Sequence, residues 1–134
     1  MSTPNQTGYM LLFIGMDWHK GLSPEQTQKI SEDWMAWFKR RLDSGKVTGG
    51  HPLALAGKVV TGKNRTVTDG PFAEAKEAIG GYFMLDVATE DEAVAIAREC
   101  PGLPYGVKVE VRPVLGQCPL VAERKAAKEQ LAVV

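Results

Sequence analysis

Two short segments of the sequence are apolar on both faces of an extended backbone. They run from Gly8 to Met16 and from Gly81 to Val87, and both are too short and too aromatic for helices. Because successive side chains of a strand point to opposite faces, Met10, Leu12 and Ile14 share one face of the first segment. Its other face carries Tyr9, Leu11 and Phe13. Both segments therefore predict strands that are covered on each side.

A helix-start signal follows the first of these segments. Ser23 fits the N-cap, Pro24 fits the first helical position, and Gln26 completes a capping box. An apolar stripe then recurs at helical spacing until Gly45, which is a typical C-terminal signal. The stripe consists of Ile30, Trp34, Trp37, Phe38 and Leu42. It predicts a core-facing helix, with a tryptophan at the edge of the stripe available to line a pocket.

A second helix and a further strand are predicted in the last third of the chain. Thr89 and Glu92 form another capping box, and the apolar helical pattern ends at Cys100, before Pro101. The segment from Val107 to Val114 then alternates between apolar and charged residues. This alternation predicts a strand with one buried and one exposed face.

The central part of the chain has a less regular pattern. Residues 48–68 mix apolar pairs with glycines, which predicts an irregular hairpin with a tight turn at Gly62 to Asn64. Within it, residues 53–60 are expected to supply an interrupted edge strand. Pro71 is expected to open a short helix that the glycine pair beginning at Gly80 ends.

The order of these elements predicts an α+β fold. Strand, helix, irregular strand pair, strand, helix and strand follow the βαββαβ plan of a ferredoxin-like split unit, an antiparallel sheet with its helices on one face. The first and third strands are central in that plan, and these are the two that are apolar on both faces. We expect residues 8–115 to form the domain, with a flexible N-terminus at 1–7 and a C-terminal arm at 116–134.

A sheet with helices on one face leaves its other face to be covered. The large apolar residues there favour a second copy stacked sheet to sheet in a homodimer. The alternative is that the C-terminal arm folds across its own sheet.

Composition excludes several classes of protein. The 134 residues suit one domain, and 16 basic residues balance 16 acidic ones, so no bulk charge favours nucleic acid or an anionic membrane. No segment has the apolar length of a spanning helix, which predicts a soluble cytoplasmic protein. Cys100 and Cys118 lack metal-ligand spacing with each other or with the histidines, so neither a metal nor a cofactor is expected.

Several motifs carry a family resemblance. The segment from Thr68 to Phe83 contains the tetrapeptide DGPF at 69–72. In order along the chain stand YMLLFIG, the SPE helix start, GGYF, the DEA at 91–93, the CPG at 100–102 and the EVRPV at 110–114. Over about residues 8–115 the chain resembles the YCII-related proteins, specifically their DGPF-domain branch. This resemblance implies a dimeric α/β barrel built from ferredoxin-like halves.

The resemblance implies two different roles. Some members are associated with small-molecule enzyme activity in a pocket between the sheets, with a histidine and an aspartate proposed for the wider group. Others occur beside extracytoplasmic-function sigma factors, which implies a regulatory role. In the wider group the histidine belongs to the first helix, and that helix contains no histidine in this sequence.

Asp69 and His51 are the candidate catalytic residues. Asp69 either caps backbone amides of its turn or projects into a cleft as a general base. His51 lies in a constrained turn between Gly50 and Pro52, where it is either solvated or paired with Asp69 as an acid–base couple. His19 is the rival histidine.

Four residues are candidates for ligand binding. Phe72 either fills the core or contacts a ligand, and Trp34 stands at the edge of its helical stripe. Lys76 and Arg112 suit an anionic group, although Arg112 could instead pair with Glu110. No catalytic triad, phosphate-binding loop or dinucleotide fingerprint is present in the sequence.

Three hypotheses about function follow from the sequence. The favoured one is a homodimer that binds a small organic molecule in an inter-sheet cleft, with possible acid/base catalysis around Asp69. The second is a non-catalytic accessory module of an extracytoplasmic-function sigma factor. The third is a dimer whose C-terminal arm mediates higher assembly.

Overall fold

A computed structural model describes residues 6–15, 17–54, 56–70, 78–116 and 120. The main elements, in chain order, are β1 (Gln6–Ile14), α1 (Pro24–Asp43), β2 (Val47–Pro52), β3 (Lys58–Thr61), β4 (Thr66–Asp69), β5 (Ile79–Leu85), α2 (Glu90–Ala97) and β6 (Lys108–Leu115). A short 3₁₀ helix, Leu103–Tyr105, precedes β6. The predicted short helix after Gly70 and nearly all of the predicted C-terminal arm lie outside the described residues.

The fold is a mixed α+β arrangement around an antiparallel sheet. Four strands pair in the order β2-β5-β1-β6, so β1 and β5 are the central strands, as their two apolar faces predict. The elements that flank this sheet follow the order β1, α1, β2, β5, α2, β6. This order and this pairing are compatible with the ferredoxin-like plan expected from the sequence.

The second strand of the sheet lies earlier in the chain than predicted. Residues 53–60 were expected to form the edge strand, but β2 ends at Pro52. The glycines that made residues 48–68 look irregular include Gly50, which allows β2 to pair with β5. A Cβ on Gly50 would stand 2.6 Å from the backbone oxygen of Tyr82, so only glycine permits so close an approach to β5.

The hairpin predicted around residues 62–64 is present, but as a separate unit. β3 and β4 pair only with each other among the described strands, and a four-residue turn, Gly62 to Arg65, joins them. Gly62 and Arg65 both have positive φ angles, of 79° and 55°. The hairpin is therefore an insertion between β2 and β5.

Helix α1 begins as its sequence predicts. The side chain of Ser23 accepts a hydrogen bond from the amide of Gln26, and the Gln26 side chain accepts one from the amide of Ser23. The helix ends one residue before Ser44, and Gly45 follows with a left-handed φ of 79°. Both predicted helix boundaries are confirmed.

The core lies between the two helices and one face of the sheet. Tyr9, Leu11 and Phe13 on β1 are buried there with Trp37 of α1. From α2 come Ala93, Ile96 and Ala97, and the buried Cys100 follows that helix. Cys100 packs as a small core hydrophobe, and its burial raises the pKa of the thiol to about 11.

The opposite face of the sheet is less covered. Met10, Leu12 and Ile14 are half-buried, whereas their neighbours on the helix side are buried. On this second face Met10 lies opposite Met84 of β5 and Arg112 of β6. The second face therefore has an apolar centre and a charged border.

Candidate functional site

A cavity of about 410 Å³ lies between α1 and the β2–β5 edge of the sheet. This volume falls within the range, roughly 300–1,000 Å³, that small-molecule sites occupy. Six aromatic residues line it: Phe13, Trp18, Trp34, Phe38, Tyr82 and Phe83. The cavity is on the helix side of the sheet, whereas the cleft expected from the sequence would lie between two sheets.

Helix periodicity places one wall of the cavity. Ser31, Trp34, Met35 and Phe38 are three or four residues apart on α1, so they share one side of the helix. The ring of Trp34 packs closely against Gly102. A Cβ on that glycine would stand only 2.7 Å from the Cζ3 atom of the ring. The tryptophan ring is therefore held between the cavity and the backbone that precedes β6.

Aromatic contacts connect this wall to the sheet. The rings of Phe13 and Trp34 meet edge to face at 5.1 Å, and Phe13 meets Phe83 in the same way at 4.8 Å. Trp18, from the loop after β1, stacks on Trp34 with ring centroids 6.3 Å apart and planes 29° apart. These are the offset and edge geometries that aromatic pairs prefer, so the wall is a connected set of rings.

Glycine backbone forms the opposite side of the cavity. Gly50 on β2 and Gly80 and Gly81 on β5 all line it. A Cβ on Gly50 would stand 2.7 Å from Cδ1 of Phe83. These glycines leave open the space that side chains on an ordinary strand pair would fill.

Two of the lining residues, His51 and Tyr82, form a hydrogen-bonded polar pair with each other. Nδ1 of His51 lies 2.9 Å from the hydroxyl oxygen of Tyr82, and the two residues are register partners across β2 and β5. Tyr82 is the register partner of Leu12, two residues from Met84, so the side chains of this pair lie on the second face of the sheet, opposite the cavity. The imidazole and the phenol together can accept and donate protons.

Charge is absent from the rest of this lining. Among the lining residues that the structure describes, none is Asp, Glu, Lys or Arg. Besides Tyr82, Ser31 is the lining residue with a hydroxyl group. The cavity is thus an aromatic space, and the polar atoms of the His51–Tyr82 pair lie on the other face of the sheet.

Asp69 lies apart from this pair. It ends β4 in the separate hairpin, its side chain is 76% exposed, and it forms an ion pair with Lys58 of β3. His51 bonds instead to Tyr82 of the main sheet. The structure therefore gives the two predicted catalytic residues different partners in different sheets, and of the two only His51 lines the cavity.

The predicted ligand-binding residues divide in the same way. Trp34 lines the cavity, as its position at the edge of the stripe suggested. Arg112 lies on β6, outside this lining, with its Nη1 3.5 Å from Oε1 of Glu110. Phe72 and Lys76 lie outside the described residues.

Two residues of the site were not singled out from the sequence. Tyr82 was assigned only to a strand, and its partnership with His51 depends on the β2–β5 register, which no local pattern reveals. Trp18 precedes the candidate His19, with which its ring makes an edge contact at 5.7 Å. An aromatic residue in a loop directly after an apolar strand was the available signal.

A second polar cluster joins the two helical segments and lies outside the cavity lining. Glu99 accepts hydrogen bonds from Nε1 of Trp37 and from Nε of Arg41, both at 2.8 Å. A further ion pair links its other oxygen to Arg41. The Arg41 hydrogen bonds hold the pKa of Glu99 below its ordinary value, and Glu99 raises the pKa of Arg41. This is a structural clasp between α1 and the segment after α2.

The described residues contain no group of three or more His, Cys, Asp or Glu side chains that could hold a metal ion. No helix among them is long and apolar enough to cross a membrane.

Comparison with known proteins places the chain in a family. The model of the YCII-related domain matches residues 9–115. An uncharacterized protein of Rhizobium meliloti (strain 1021) is 32% identical over 97 residues, which are 69% of this chain and 78% of that protein. The family match covers most of the chain. It includes the segments around β1 and β5 and the N-terminal caps of both helices, where the resemblance was seen. The chain belongs to the YCII-related domain family.

Proposed function

We propose that this protein binds a small, mostly apolar organic molecule in the cavity between α1 and the β2–β5 edge. The aromatic lining carries the proposal, because concave sites lined by apolar side chains with a few polar groups are where proteins hold small molecules. Trp18, Trp34 and Phe13 supply stacking and edge contacts, and the volume of about 410 Å³ admits a ligand of one or two rings.

The side chains of His51 and Tyr82 lie on the second face of the sheet, so we propose them for acid/base chemistry in a cleft between two paired copies rather than in this cavity. An imidazole both accepts and donates a proton near neutral pH, and its hydrogen bond to a phenol orients the ring. The inter-sheet role first expected for Asp69 has less support, because its exposed carboxylate is paired with Lys58.

Binding of a neutral apolar dye tests the proposal. N-phenyl-1-naphthylamine is expected to gain fluorescence with the wild-type protein. Trp18→Ala should weaken its binding by about 2- to 10-fold, the value of one aromatic contact. The matched control is Tyr105→Ala, which removes an exposed aromatic side chain outside the lining and should bind the dye as the wild type does.

Two results would argue against the binding function. One is no dye binding by the wild type, and the other is an equal effect of Trp18→Ala and Tyr105→Ala. Absence of dye binding together with a sigma factor retained in a native pull-down would instead support the accessory role that the resemblance implies.

We also propose that two copies pair through the second face of the sheet, as ferredoxin-like halves of a dimeric α/β barrel. The half-buried Met10, Leu12 and Met84 support this, because an apolar sheet centre is normally covered. The DGPF tetrapeptide beginning at Asp69 supports the assignment to the DGPF branch, for which the resemblance implies the same assembly.

Light scattering tests the pairing. The wild type should have the mass of two chains at micromolar concentration, and Leu12→Glu should have the mass of one, because the carboxylate would be buried unpaired. Ala36→Glu, at an exposed position of α1 on the other side of the sheet, is the control expected to leave the mass unchanged. A wild-type mass of one chain would remove the basis for this proposal.

A further inference from the structure

The strand register places His51 and Glu110 at opposite edges of the second face of the sheet. Directly paired residues of neighbouring strands point to the same side of a sheet. One row across the second face therefore consists of His51, Tyr82, Leu12 and Glu110. The two outer residues are exposed, on the β2 edge and the β6 edge, and the two inner ones are half-buried. The row thus has a half-buried centre, with an imidazole at one end and a carboxylate at the other.

The next row of this face is divided in the same way. It consists of Gly49, Met84, Met10 and Arg112, from the β2 edge to the β6 edge. The two methionines are half-buried at its centre, and Arg112 is exposed. At the β2 edge Gly49 brings no side chain, and a Cβ there would meet nothing within 4 Å. The β2 edge therefore has open space at the level where the β6 edge has a long cationic side chain.

Charge disfavours one way of stacking two copies through this face. If the two-fold axis runs across the strands, each edge of the sheet lies over the same edge of the other copy. The β6 edge carries the cations Lys108 and Arg112 and the carboxylate Glu110, all exposed on this face. Stacking β6 on β6 would gather the excess cations of both copies in one partly dehydrated seam, where like charges repel strongly.

A two-fold axis along the strands brings unlike edges together. The β2 edge of one copy then lies over the β6 edge of the other, and because this rotation does not reverse the strands, each row faces itself. Glu110 faces His51 of the partner subunit. Arg112 extends over the open backbone at Gly49 of the partner subunit, and the half-buried centres of the two copies cover each other. Apolar, polar and charged positions are all matched in this arrangement.

We infer that two copies stack with the β2 edge of each over the β6 edge of the other, so that Glu110 pairs with His51 of the partner subunit. The contact occurs twice in each dimer, because a two-fold interface is self-complementary. Nδ1 of His51 is bonded to the Tyr82 hydroxyl, which leaves Nε2 of the imidazole for the carboxylate. The partner subunit thus completes the polar group on this face. This inference rests on the proposed pairing and adds its orientation and its charged contact.

Cross-linking between copies tests the orientation. His51→Cys and Glu110→Cys are each made with Cys118→Ser, so that the buried Cys100 is the other cysteine in each chain. A short bismaleimide is added to each variant alone and to a mixture of the two that has exchanged its chains. The covalent two-chain species should form in the mixture and not in either variant alone. An axis across the strands would instead join each variant to itself.

A charge-reversal cycle tests the contact itself, with dissociation constants from light scattering over a dilution series. Glu110→Lys and His51→Glu should each weaken dimerisation about 5- to 30-fold, the value of an exposed ion pair that occurs twice. The double variant should regain most of the affinity. Within one chain the two residues are separated by two strands, about 14 Å, so this recovery reports a contact between copies. Glu32→Lys, the same charge change at an exposed position of α1, is the matched control and should keep the wild-type affinity.

The possible failures are distinguishable. A wild-type mass of one chain would overturn the proposed pairing and this inference together. A two-chain mass with cross-linking of either variant alone, or without cross-linking in the mixture, would overturn the orientation and leave the pairing intact. So would a double variant that dimerises no better than the weaker of the two single variants.

Discussion

Glu99 should contribute more to stability than the other carboxylates that form ion pairs. Its carboxylate accepts from Trp37 and Arg41, and Trp37 is only 1% exposed. A net hydrogen bond to a charged group stabilises by about 1.5–3 kcal/mol, and an unpaired buried donor costs about 1–3 kcal/mol. Because the Glu99 side chain is 30% exposed, we take the low end of these values. Glu99→Ala should then cost about 2 kcal/mol.

Glu99→Gln separates the charge from the hydrogen bond. The amide oxygen can still accept from the Trp37 indole, so the charge pairing with Arg41 and the more exposed Arg40 is lost and the cost should be about 1 kcal/mol. Urea unfolding followed by tryptophan fluorescence measures both variants, and Glu99→Ala should lower the midpoint by roughly 1 M. Asp33→Asn, in an exposed pair with Lys29, is the control and should cost about 0.5 kcal/mol or less.

The contribution of Glu99 to stability should depend on pH. The pKa of Glu99 lies below its ordinary value of 4.5, so the folded state favours the ionised form. Its contribution is full above 4.5 and is lost as the pH falls through the folded pKa. The stability difference between wild type and Glu99→Gln should therefore shrink from pH 7 to pH 3. A constant difference, or a Glu99→Ala cost equal to that of Asp33→Asn, would refute this reasoning.

Three further predictions concern other parts of the molecule. Asp69→Asn should change stability by less than about 1 kcal/mol and leave dye binding unchanged, since its carboxylate is exposed and apart from the cavity; a loss of binding at equal stability would restore the catalytic hypothesis for this residue. Gly50→Ala should cost about 1–3 kcal/mol in urea unfolding, because its Cβ would stand 2.7 Å from Cδ1 of Phe83, whereas Gly49→Ala meets nothing within 4 Å and should cost less. With the other cysteine changed to serine, Cys100 should resist a thiol reagent at pH 8 until urea unfolds the protein, since its pKa is raised to about 11; rapid modification of the folded protein would contradict its burial.

Local signals in the sequence were sufficient to predict most of the regular structure. The Ser23 and Thr89 caps act over three residues, and the structure has both hydrogen bonds to the amides that the caps predict. β1 and β5 are apolar on both faces, and this pattern likewise predicts their central positions in the sheet. Such features depend on neighbours along the chain, so a sequence can display them.

The site depended on information that is not local. His51 meets Tyr82 because a bulge between Val47 and Gly49 sets the register of β2 against β5. The glycines that suggested an irregular hairpin instead permit the close approach of these strands. The sequence analysis considered His51 as an acid–base partner of Asp69 from their chemistry and from the family resemblance, whereas strand pairing gives the two residues different neighbours.

The position of the cavity determines how binding depends on assembly. The cavity lies on the α1 side of the sheet, opposite the second face, so each copy should carry its own site whether or not the second face is paired. Titration should then saturate at one ligand per chain with a Hill coefficient of about 1, and the affinity should not change on dilution through the dimer dissociation range. A cleft shared between two sheets would instead lose its ligand as the copies separate.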